Sequence, residues 1–295
     1  MNRSGTRAGA LCIINAPYHT DANPRPGVTT SRACFARDYE LGRSAAMRDL
    51  ERNVLGSDYG GTSWTTLREA GRIAGLLGLR PGMRLLDVGA GAGWPGLYLA
   101  QVTGCDVVLT DRPVVGLQIA LERAVADRFD ERCGVVVADG AALPFGENSF
   151  DALSHSDVLC CMPAKLSMLQ ACRRVTRTGA RMVFSVIAPA PSLSASERQI
   201  AIESGPPFVD VDGDYALLLG QSGWRVQERI DVTAEFAQSI RTWLEGMKTR
   251  AGPLTKALGV DEFSDRVIRK QATLAAIDRG LLKREIFASI TATGA

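Results

Sequence analysis

One acid and four glycines lie at the end of an apolar run, in a pattern that could hold a nucleotide-like ligand. Residues 84–88 predict a buried strand, although Asp87 places a carboxylate inside it. The glycines come next, before a helical pattern begins at Leu97: Gly89, Gly91, Gly93 and Gly96. Because glycine allows tight turns and leaves the backbone bare, such a loop brings amide N–H groups and a helix N-terminus close to a ligand.

Two ligand classes use a turn of this kind, and the loop by itself is compatible with both. Dinucleotide-binding folds use the spacing G-x-G-x-x-G, which Gly91, Gly93 and Gly96 satisfy. Proteins that bind S-adenosylmethionine (SAM) use an acid followed by G-x-G-x-G. Asp87 and Gly89, together with the next two glycines, satisfy that spacing as well. Residues beyond the loop must therefore discriminate between the two classes.

Two further aspartates end the next two predicted strands: Asp111 and Asp139. In an open parallel sheet the carboxyl ends of the strands converge on the ligand crevice, so we expect both acids near the glycine loop. Asp111 lies 20 residues after Gly91, the spacing at which an acid accepts the ribose hydroxyls in nucleotide-binding folds. Both ligand classes contain a ribose, so Asp111 supports either.

Two of the acids separate the ligand classes. Asp87 would repel a pyrophosphate, whereas the positively charged sulfonium and ammonium groups of SAM favour a nearby carboxylate. Asp139, followed by Gly140, could accept a hydrogen bond from the amino group of adenine, and a nicotinamide enzyme has no need of that acid. We therefore favour SAM as the cofactor and keep an NAD(P)-dependent oxidoreductase as the alternative.

Apolar runs alternate with helical patterns through the chain. The runs are continuously apolar, which is typical of parallel strands that helices cover on both faces. Seven strands are expected, at residues 84–88, 106–111, 134–139, 150–154, 180–188, 224–230 and 284–290. The sequence therefore predicts the α/β class with a doubly wound sheet.

The chain is expected to form a flexible leader and one domain. Residues 1–34 carry Gly, Pro, Ser and Thr without periodicity, which predicts the leader. The domain, 35–295, divides into N-terminal helices, a SAM-binding core, a substrate lid with the sixth strand, and a C-terminal helix with the last strand. The bounds of these four parts are 35–80, 81–188, 189–258 and 259–295.

Helical spacing of apolar residues also predicts particular helix bounds. One helix is expected over about 35–55 and a long one over about 236–258. A further helix is expected to begin with Thr62 or Ser63 as its N-cap, because such side chains accept from the free N–H groups of a first turn.

The composition favours a cytoplasmic enzyme with a small-molecule partner. The 295 residues include 34 basic and 32 acidic side chains, without the basic block that nucleic acid would need. No apolar run approaches the about 18–20 residues of a membrane span. The seven cysteines form no C-x-x-C pair and there are only two histidines, so we expect reduced cysteines and no metal site. A monomer and a homodimer are both compatible with this composition.

Residues 80–188 resemble the core of a class I SAM-dependent methyltransferase. Residues 84–93 resemble its glycine motif, 109–111 its ribose acid and 138–140 its adenine contact. The resemblance implies a Rossmann-like, seven-stranded, mostly parallel sheet with an antiparallel last strand and a helical lid. It also implies SAM as cofactor and methyl transfer to a nitrogen or oxygen of a small molecule. A non-catalytic SAM-binding module would share these motifs.

The resemblance and the position of the acids together predict the residues that hold SAM. Most of them lie on the glycine loop or directly after the strands, and one tyrosine precedes the core where this fold often builds a lid. The predicted cofactor-binding residues are Asp87, Gly89, Ala90, Gly91, Gly93, Asp111, Arg112, Asp139, Gly140, Ala141, Ser154 and Tyr59.

The segment 154–163 follows the fourth strand, where this fold places the reacting methyl group. It is similar to the Asp-Ala-x-x-His stretch of N-methyltransferases that act on sarcosine, dimethylglycine or phosphoethanolamine. Asp157 matches the acid of that stretch, whereas Cys161 stands at the histidine position. His155 and Asp157 are the candidate bases, each with packing or capping as the alternative role.

Two adjacent cysteines, Cys160 and Cys161, invite comparison with a thiolate pair that holds a metalloid. Neighbouring side chains on a helix diverge by about 100°, so they usually cannot share one ion. Cysteine is also a common small core residue. We therefore interpret the pair as part of the core.

Overall fold

A mixed β-sheet forms the centre of the protein. The computed structural model describes residues 11–13 and 32–292, with side chains for 35–292. In these ranges the sheet has eight strands: β1 Leu11–Ile13, β2 Arg84–Val88, β3 Asp106–Asp111, β4 Cys133–Val137, β5 Phe150–Ser156, β6 Thr176–Pro189, β7 Trp224–Asp231 and β8 Leu282–Thr291.

The strand order is β1-β4-β3-β2-β5-β6-β8-β7. β8 runs antiparallel to both of its neighbours, and the other adjacent pairs are parallel. Strands β2 to β8 are the seven predicted ones, so the predicted fold class is confirmed. β1 is an additional short edge strand that pairs with β4, and it lies within the predicted leader. The remainder of that leader falls outside the described residues, apart from the first residues of a helix.

Helices connect the strands and cover both faces of the sheet. Their bounds are α1 Arg32–Gly42, α2 Ala45–Leu55, α3 Leu67–Leu77, α4 Gly96–Thr103, α5 Val114–Ala126, α6 Lys165–Val175, α7 Ala195–Ser204, α8 Tyr215–Gln221, α9 Thr233–Thr249, α10 Ala251–Leu258 and α11 Val260–Asp278. Three of them, α9 to α11, form a helical insertion between β7 and β8. In the part of the chain that the structure describes, no helix is long and apolar enough to cross a membrane.

The central strand shows why the apolar runs are continuous. Successive side chains of a strand point to opposite faces of the sheet. Leu85 belongs to one buried layer with Ile73 of α3 and Leu97 of α4, whereas Leu86 belongs to the opposite layer with Met168 of α6. Both faces of β2 are therefore buried, as expected for a parallel sheet between two helical layers.

Three predicted helix bounds were wrong. The predicted helix over 35–55 is two helices, because Ser44 accepts a hydrogen bond from the N–H of Met47 and starts α2 as its N-cap. The predicted helix over 236–258 is likewise interrupted, between α9 and α10.

The third wrong bound is the N-cap predicted at Thr62 or Ser63. Thr66 caps α3 instead, in a reciprocal capping box with Glu69. A Thr or Ser followed three residues later by Glu is the more specific signal, and among the Thr and Ser residues of 62–66 only Thr66 has it.

A buried arginine, Arg284 of β8, joins three separate parts of the fold. The side chain of Arg284 is fully buried. Its guanidinium donates to both carboxylate oxygens of Asp157, at 2.9 and 3.1 Å. It also donates to Glu69 Oε1 at 2.9 Å and to Thr65 Oγ1 at 3.1 Å. One cation therefore links β8, the turn after β5 and the start of α3. We call Arg284, Asp157, Glu69 and Thr65 the Arg284 cluster.

We expect Arg284→Met to lower the free energy of unfolding by about 3–5 kcal/mol, because it leaves two buried carboxylates without their counter-charge. Urea-induced unfolding would measure this change. Arg225→Met is the matched control, since Arg225 is exposed on the edge strand β7, and it should cost less than about 0.5 kcal/mol. If the two substitutions lowered the free energy of unfolding equally, Arg284 would not be the residue that holds these three parts of the fold together.

Candidate cofactor and acceptor site

The glycine loop leaves the end of β2 and turns into α4. Gly89, Gly91 and Gly93 have φ angles of 68°, 52° and 95°, in the left-handed region that favours glycine. The N–H groups of Gly89 and Ala90 both donate to the carbonyl oxygen of Thr110 on β3, at 2.7 and 3.0 Å. Backbone hydrogen bonds therefore hold the loop against the neighbouring strand, at the point where the second acid follows.

Asp111 ends β3 and faces this loop. Its Oδ2 accepts from the N–H of Gly91 at 2.7 Å, and its Oδ1 accepts from the N–H of Arg112 at 2.7 Å. The hydroxyl of Tyr39 donates to Oδ2 at 3.3 Å. Burial raises the pKa of Asp111 above its usual value, while the backbone N–H donors of Arg112 and Gly91 oppose that rise. The carboxylate is thus oriented by the backbone and already accepts one hydroxyl donor.

Tyr39 is a residue of this site that the sequence interpretation missed. An ideal Cβ built on Gly91 would lie 2.5 Å from its hydroxyl oxygen, and one built on Gly116 of α5 would lie 2.9 Å from its ring. The side chain therefore lies directly over both glycines. Burial raises the pKa of Tyr39 well above its usual value, and the Asp111 carboxylate adds to that rise. Gly116 is the one sequence signal that could have indicated this contact. Glycine is unfavourable inside a helix, so its presence in α5 suggests that another group needs the space of a side chain.

Asp87 is buried at the start of the loop. Its Oδ1 accepts from the hydroxyl of Ser154 on β5 at 2.6 Å. Its Oδ2 lies beside Gly96 and has no hydrogen-bond partner of good geometry among the described residues. Burial raises the pKa of Asp87 to about 7, and the nearby Asp111 carboxylate adds to this rise. A buried carboxylate in this state is stabilised by an incoming cation.

Asp139 lies just beyond the end of β4 and is also buried. Its Oδ1 accepts from the N–H of Ala141 at 2.9 Å, and its Oδ2 lies 3.9 Å from Nη1 of Arg112. Gly140 packs closely against Val88 at the end of β2. The structure therefore brings the third acid to the same edge of the sheet as the glycine loop.

Tyr59 lies between the segment before α3 and the region of α4 and α5. Its ring packs 5.1 Å from that of Trp94, and the guanidinium of Arg123 lies 4.3 Å from its ring centroid. Its hydroxyl points to Gln101 of α4, at 3.5 Å. These contacts fasten the segment before α3 to Trp94 of the glycine loop, to α4 and to α5, and none of them is with the three acids.

His155 occupies the core of the protein. It is fully buried and stacks on Phe184 of β6 with ring centroids 4.4 Å apart. Neither ring nitrogen has a hydrogen-bond partner among the described residues. Burial lowers the pKa of His155 to about 3, so the ring is neutral near pH 7. A buried, neutral imidazole without a hydrogen-bond partner is poorly suited to accept a proton from a substrate.

Asp157 is held as a structural anion. Besides its two bonds with Arg284, it accepts from the hydroxyl of Ser185 at 3.1 Å and from the N–H of Trp64 at 3.0 Å. Burial acts to raise the pKa of Asp157, but the charge and hydrogen bonds of Arg284 outweigh it and hold the pKa below its usual value. A carboxylate so stabilised in its ionised form is a weak base.

The two adjacent cysteines lie in the turn after β5. Cys160 is buried and its Sγ donates to the carbonyl oxygen of Asp157, at 3.2 Å, whereas Cys161 is partly exposed. Within the described ranges, no group of three or more His, Cys, Asp and Glu residues is arranged to hold a metal ion.

We expect His155 to make the protein less stable in mild acid. The unfolded chain binds a proton near pH 6.5 and the folded chain only near pH 3, so stability falls by about 1.4 kcal/mol per pH unit between these values. In urea unfolding of the wild type, His155 should lower the free energy of unfolding by about 2 kcal/mol between pH 7 and pH 5. His155→Phe should keep the stacking on Phe184 and lose this part of the pH dependence of stability. If the stability of His155→Phe changed with pH as that of the wild type does, the interpretation would be contradicted.

A comparison with protein families gives a match over part of the chain. Residues 86–184 match a family model described as a methyltransferase domain. The 27-O-demethylrifamycin SV methyltransferase of Amycolatopsis mediterranei is 31% identical over 174 residues, which cover 57% of this chain and 63% of that protein. The (+)-O-methylkolavelool synthase of Herpetosiphon aurantiacus is 28% identical over 182 residues, which cover 60% of this chain and 62% of that protein. The chain thus spans less than two thirds of the length of these relatives.

Solved structures share the fold over most of the chain. The phosphoethanolamine N-methyltransferase 2 of Haemonchus contortus, solved in complex with SAM, has a TM-score of 0.72 at 17% identity and covers 90% of this chain and 61% of that one. The [4+2]-cyclase SpnF has a TM-score of 0.69 at 18% identity, and the match covers 91% of this chain and 98% of that one. At such identity the likeness establishes the fold. The part of the chain that matches the methyltransferase domain model, residues 86–184, contains the glycine loop and the three acids.

Proposed function

We propose that this protein transfers a methyl group from SAM to a nitrogen or oxygen atom of a small molecule. The observation that carries the proposal is the meeting of Asp87, Asp111 and Asp139 around the glycine loop at one edge of the sheet. The names of the rifamycin and kolavelool relatives support a small organic acceptor.

The three acids fit the three polar parts of SAM. Asp111 would accept the ribose hydroxyls, as it already accepts the hydroxyl of Tyr39. Asp139 would accept from the adenine amino group. Asp87, whose buried Oδ2 has no well-placed partner among the described residues, would stabilise the cationic amino-acid end. SAM, when bound, supplies an electrophilic methyl group on a positively charged sulfur.

The other predicted cofactor-binding residues keep this role as proposals. The residues on the loop and after the strands would contact SAM mainly through their backbone. These residues are Gly89, Ala90, Gly91, Gly93, Arg112, Gly140 and Ala141. Ser154 would act by orienting Asp87. We assign Tyr59 to packing instead and add Tyr39 to the site, because Tyr39 contacts Asp111.

Positioning is the main chemical contribution that we assign to the protein. Methyl transfer from a sulfonium needs an in-line lone pair, and well-held reactants can gain about 7–11 kcal/mol from orientation. Asp157 and Arg284 hold the turn after β5 and the backbone of Trp64, and both of these lie on the acceptor side. We therefore propose Asp157 as a positioning residue and His155 as a core residue.

We also propose that the protein works in the cytoplasm on a small molecule and has no nucleic-acid partner. The near balance of 34 basic and 32 acidic residues supports this, because nucleic-acid binding relies on excess positive charge.

Calorimetry with SAM, S-adenosylhomocysteine and NAD(H) tests the cofactor assignment. Binding of NAD(H) without SAM would overturn it in favour of an oxidoreductase. Transfer of labelled methyl from SAM to a panel of small hydroxyl and amine compounds tests the activity. Binding of SAM with no transfer across such a panel would favour a non-catalytic SAM-binding module.

We expect Asp111→Ala to weaken binding of S-adenosylhomocysteine at least about tenfold, because charged hydrogen bonds of about 1.5–3 kcal/mol each are lost. Titration calorimetry measures the affinity. Asp106→Ala is the matched control, since Asp106 lies on the same strand with a side chain 52% exposed. Unchanged affinity in Asp111→Ala would remove Asp111 from the ribose site.

The pH dependence of SAM binding tests Asp87. Its pKa is about 7 in the free protein, and a bound cation favours the ionised form, so binding releases a proton below that pH. We expect the affinity to rise roughly tenfold between pH 5.5 and pH 7 and then to level off. In Asp87→Asn the affinity should be lower and should not change over this range. A wild-type affinity that is constant from pH 5.5 to 7 would contradict this role.

A further inference from the structure

A lysine on α11 lacks an acidic partner, unlike the arginines beside it. Arg266 pairs with Glu262 and Asp38, and Arg269 also pairs with Glu262. Lys270 has no carboxylate within ion-pair distance among the described residues; its Nζ lies instead over the ring of Trp64, 4.7 Å from the centroid. A cation–π contact of this kind leaves the positive charge without neutralisation.

Lys270 lies where the acceptor side of the candidate site is assembled. Trp64, which it covers, is fastened to Asp157 in the turn after β5. Trp64 packs against the same core cluster as Val158 and Cys161 of that turn. The turn also reaches the glycine loop, because a Cβ built on Gly89 would lie 2.4 Å from a methyl group of Val158.

A second set of contacts joins α11 to the proposed ribose acid. Arg266, about one turn before Lys270 on α11, pairs with Asp38 of α1. The next residue of α1, Tyr39, donates to Asp111. The helix that carries Lys270 therefore contacts α1, and the ammonium of Lys270 lies on Trp64 of the segment before α3.

The surroundings of this ammonium disfavour its charge. Burial is the largest effect and the charges of Arg269 and Arg266 add to it, so the pKa of Lys270 falls to about 8. A partly buried cation that neighbouring cations repel gains most from an anion that reaches it from the ligand side. Lysine suits this task because its compact ammonium can meet a carboxylate or a phosphate from several directions.

We infer that Lys270 is the anion-binding residue of the acceptor site, and that the acceptor carries a carboxylate or phosphate group whose oxygen contacts Nζ. This inference rests on the proposed function, because it gives the substrate class of the same site.

Binding of small anions to the full-length protein saturated with S-adenosylhomocysteine tests the inference. The probes are benzoate and phenyl phosphate, with benzamide as the uncharged counterpart, and ligand-detected NMR gives their affinities. We expect at least one anion to bind at least tenfold more tightly than benzamide. The preferred anion distinguishes a carboxylate acceptor from a phosphate acceptor.

Variants separate the role of Lys270 from general charge. Lys270→Met should reduce the preference for the anion over benzamide at least tenfold, whereas Lys270→Arg should retain most of this preference. The matched control is Lys256→Met, an exposed lysine on α10, which should behave as wild type. All variants should bind S-adenosylhomocysteine as wild type does and unfold at similar temperature, which excludes misfolding as the cause.

A direct titration of the lysine gives a second measurement that does not depend on turnover. With ¹³C-methylated lysines, the signal that is missing in Lys270→Met should titrate near pH 8 and shift to higher pH when the anion is added. The inference is overturned if anions bind wild type and Lys270→Met equally, or if neither anion is preferred to benzamide. Failure of wild type to bind S-adenosylhomocysteine would instead overturn the proposed function.

Discussion

The buried charge of Arg284 is the constraint on which the turn after β5 and the start of α3 depend. An isolated cation in the core is very unfavourable, so its two carboxylate partners must remain in place. Asp157 has a φ angle of 57°, which is uncommon for a residue with a side chain, and hydrogen bonds from Arg284, Ser185 and Trp64 hold it there. The turn after β5 therefore has a defined course, which places Val158 beside the glycine loop.

The two sides of the site are built in different ways. The proposed cofactor side consists mainly of backbone groups and three aspartates on consecutive strands, which the sheet itself aligns. The proposed acceptor side consists of α1, the segment before α3, the turn after β5 and α11. Close approach of these parts depends on glycines, because a Cβ on Gly42 would lie 2.6 Å from the carbonyl oxygen of Gly60 and one on Gly91 would lie 2.5 Å from Tyr39. This close packing places the Tyr39 hydroxyl on Asp111, the proposed ribose acid.

Most of the fold and the grouping of three acids near the glycine loop could be predicted because their signals are local. A continuous apolar run, a glycine loop and an acid at a strand end each lie within a few residues. The sheet then brings Asp87, Asp111 and Asp139 together. The roles of His155 and Asp157 could not be read in this way. Their position after β5 suggests chemistry, but the stacking on Phe184 and the ion pair with Arg284 depend on strands that are distant in the chain.

The amino-acid sequence by itself thus determined the order of strands and helices, the glycine loop and the three acids around it. Only the tertiary structure decided which polar side chains are buried, paired or left without a counter-charge. Arg284 meets partners 127 and 215 positions away, and Tyr39 meets Asp111 across 72 positions. Such contacts have no periodicity or local motif, because the free energy of a charge depends on its neighbours in space. For that reason Lys270 is unremarkable in the sequence and becomes informative only beside Trp64 and two arginines.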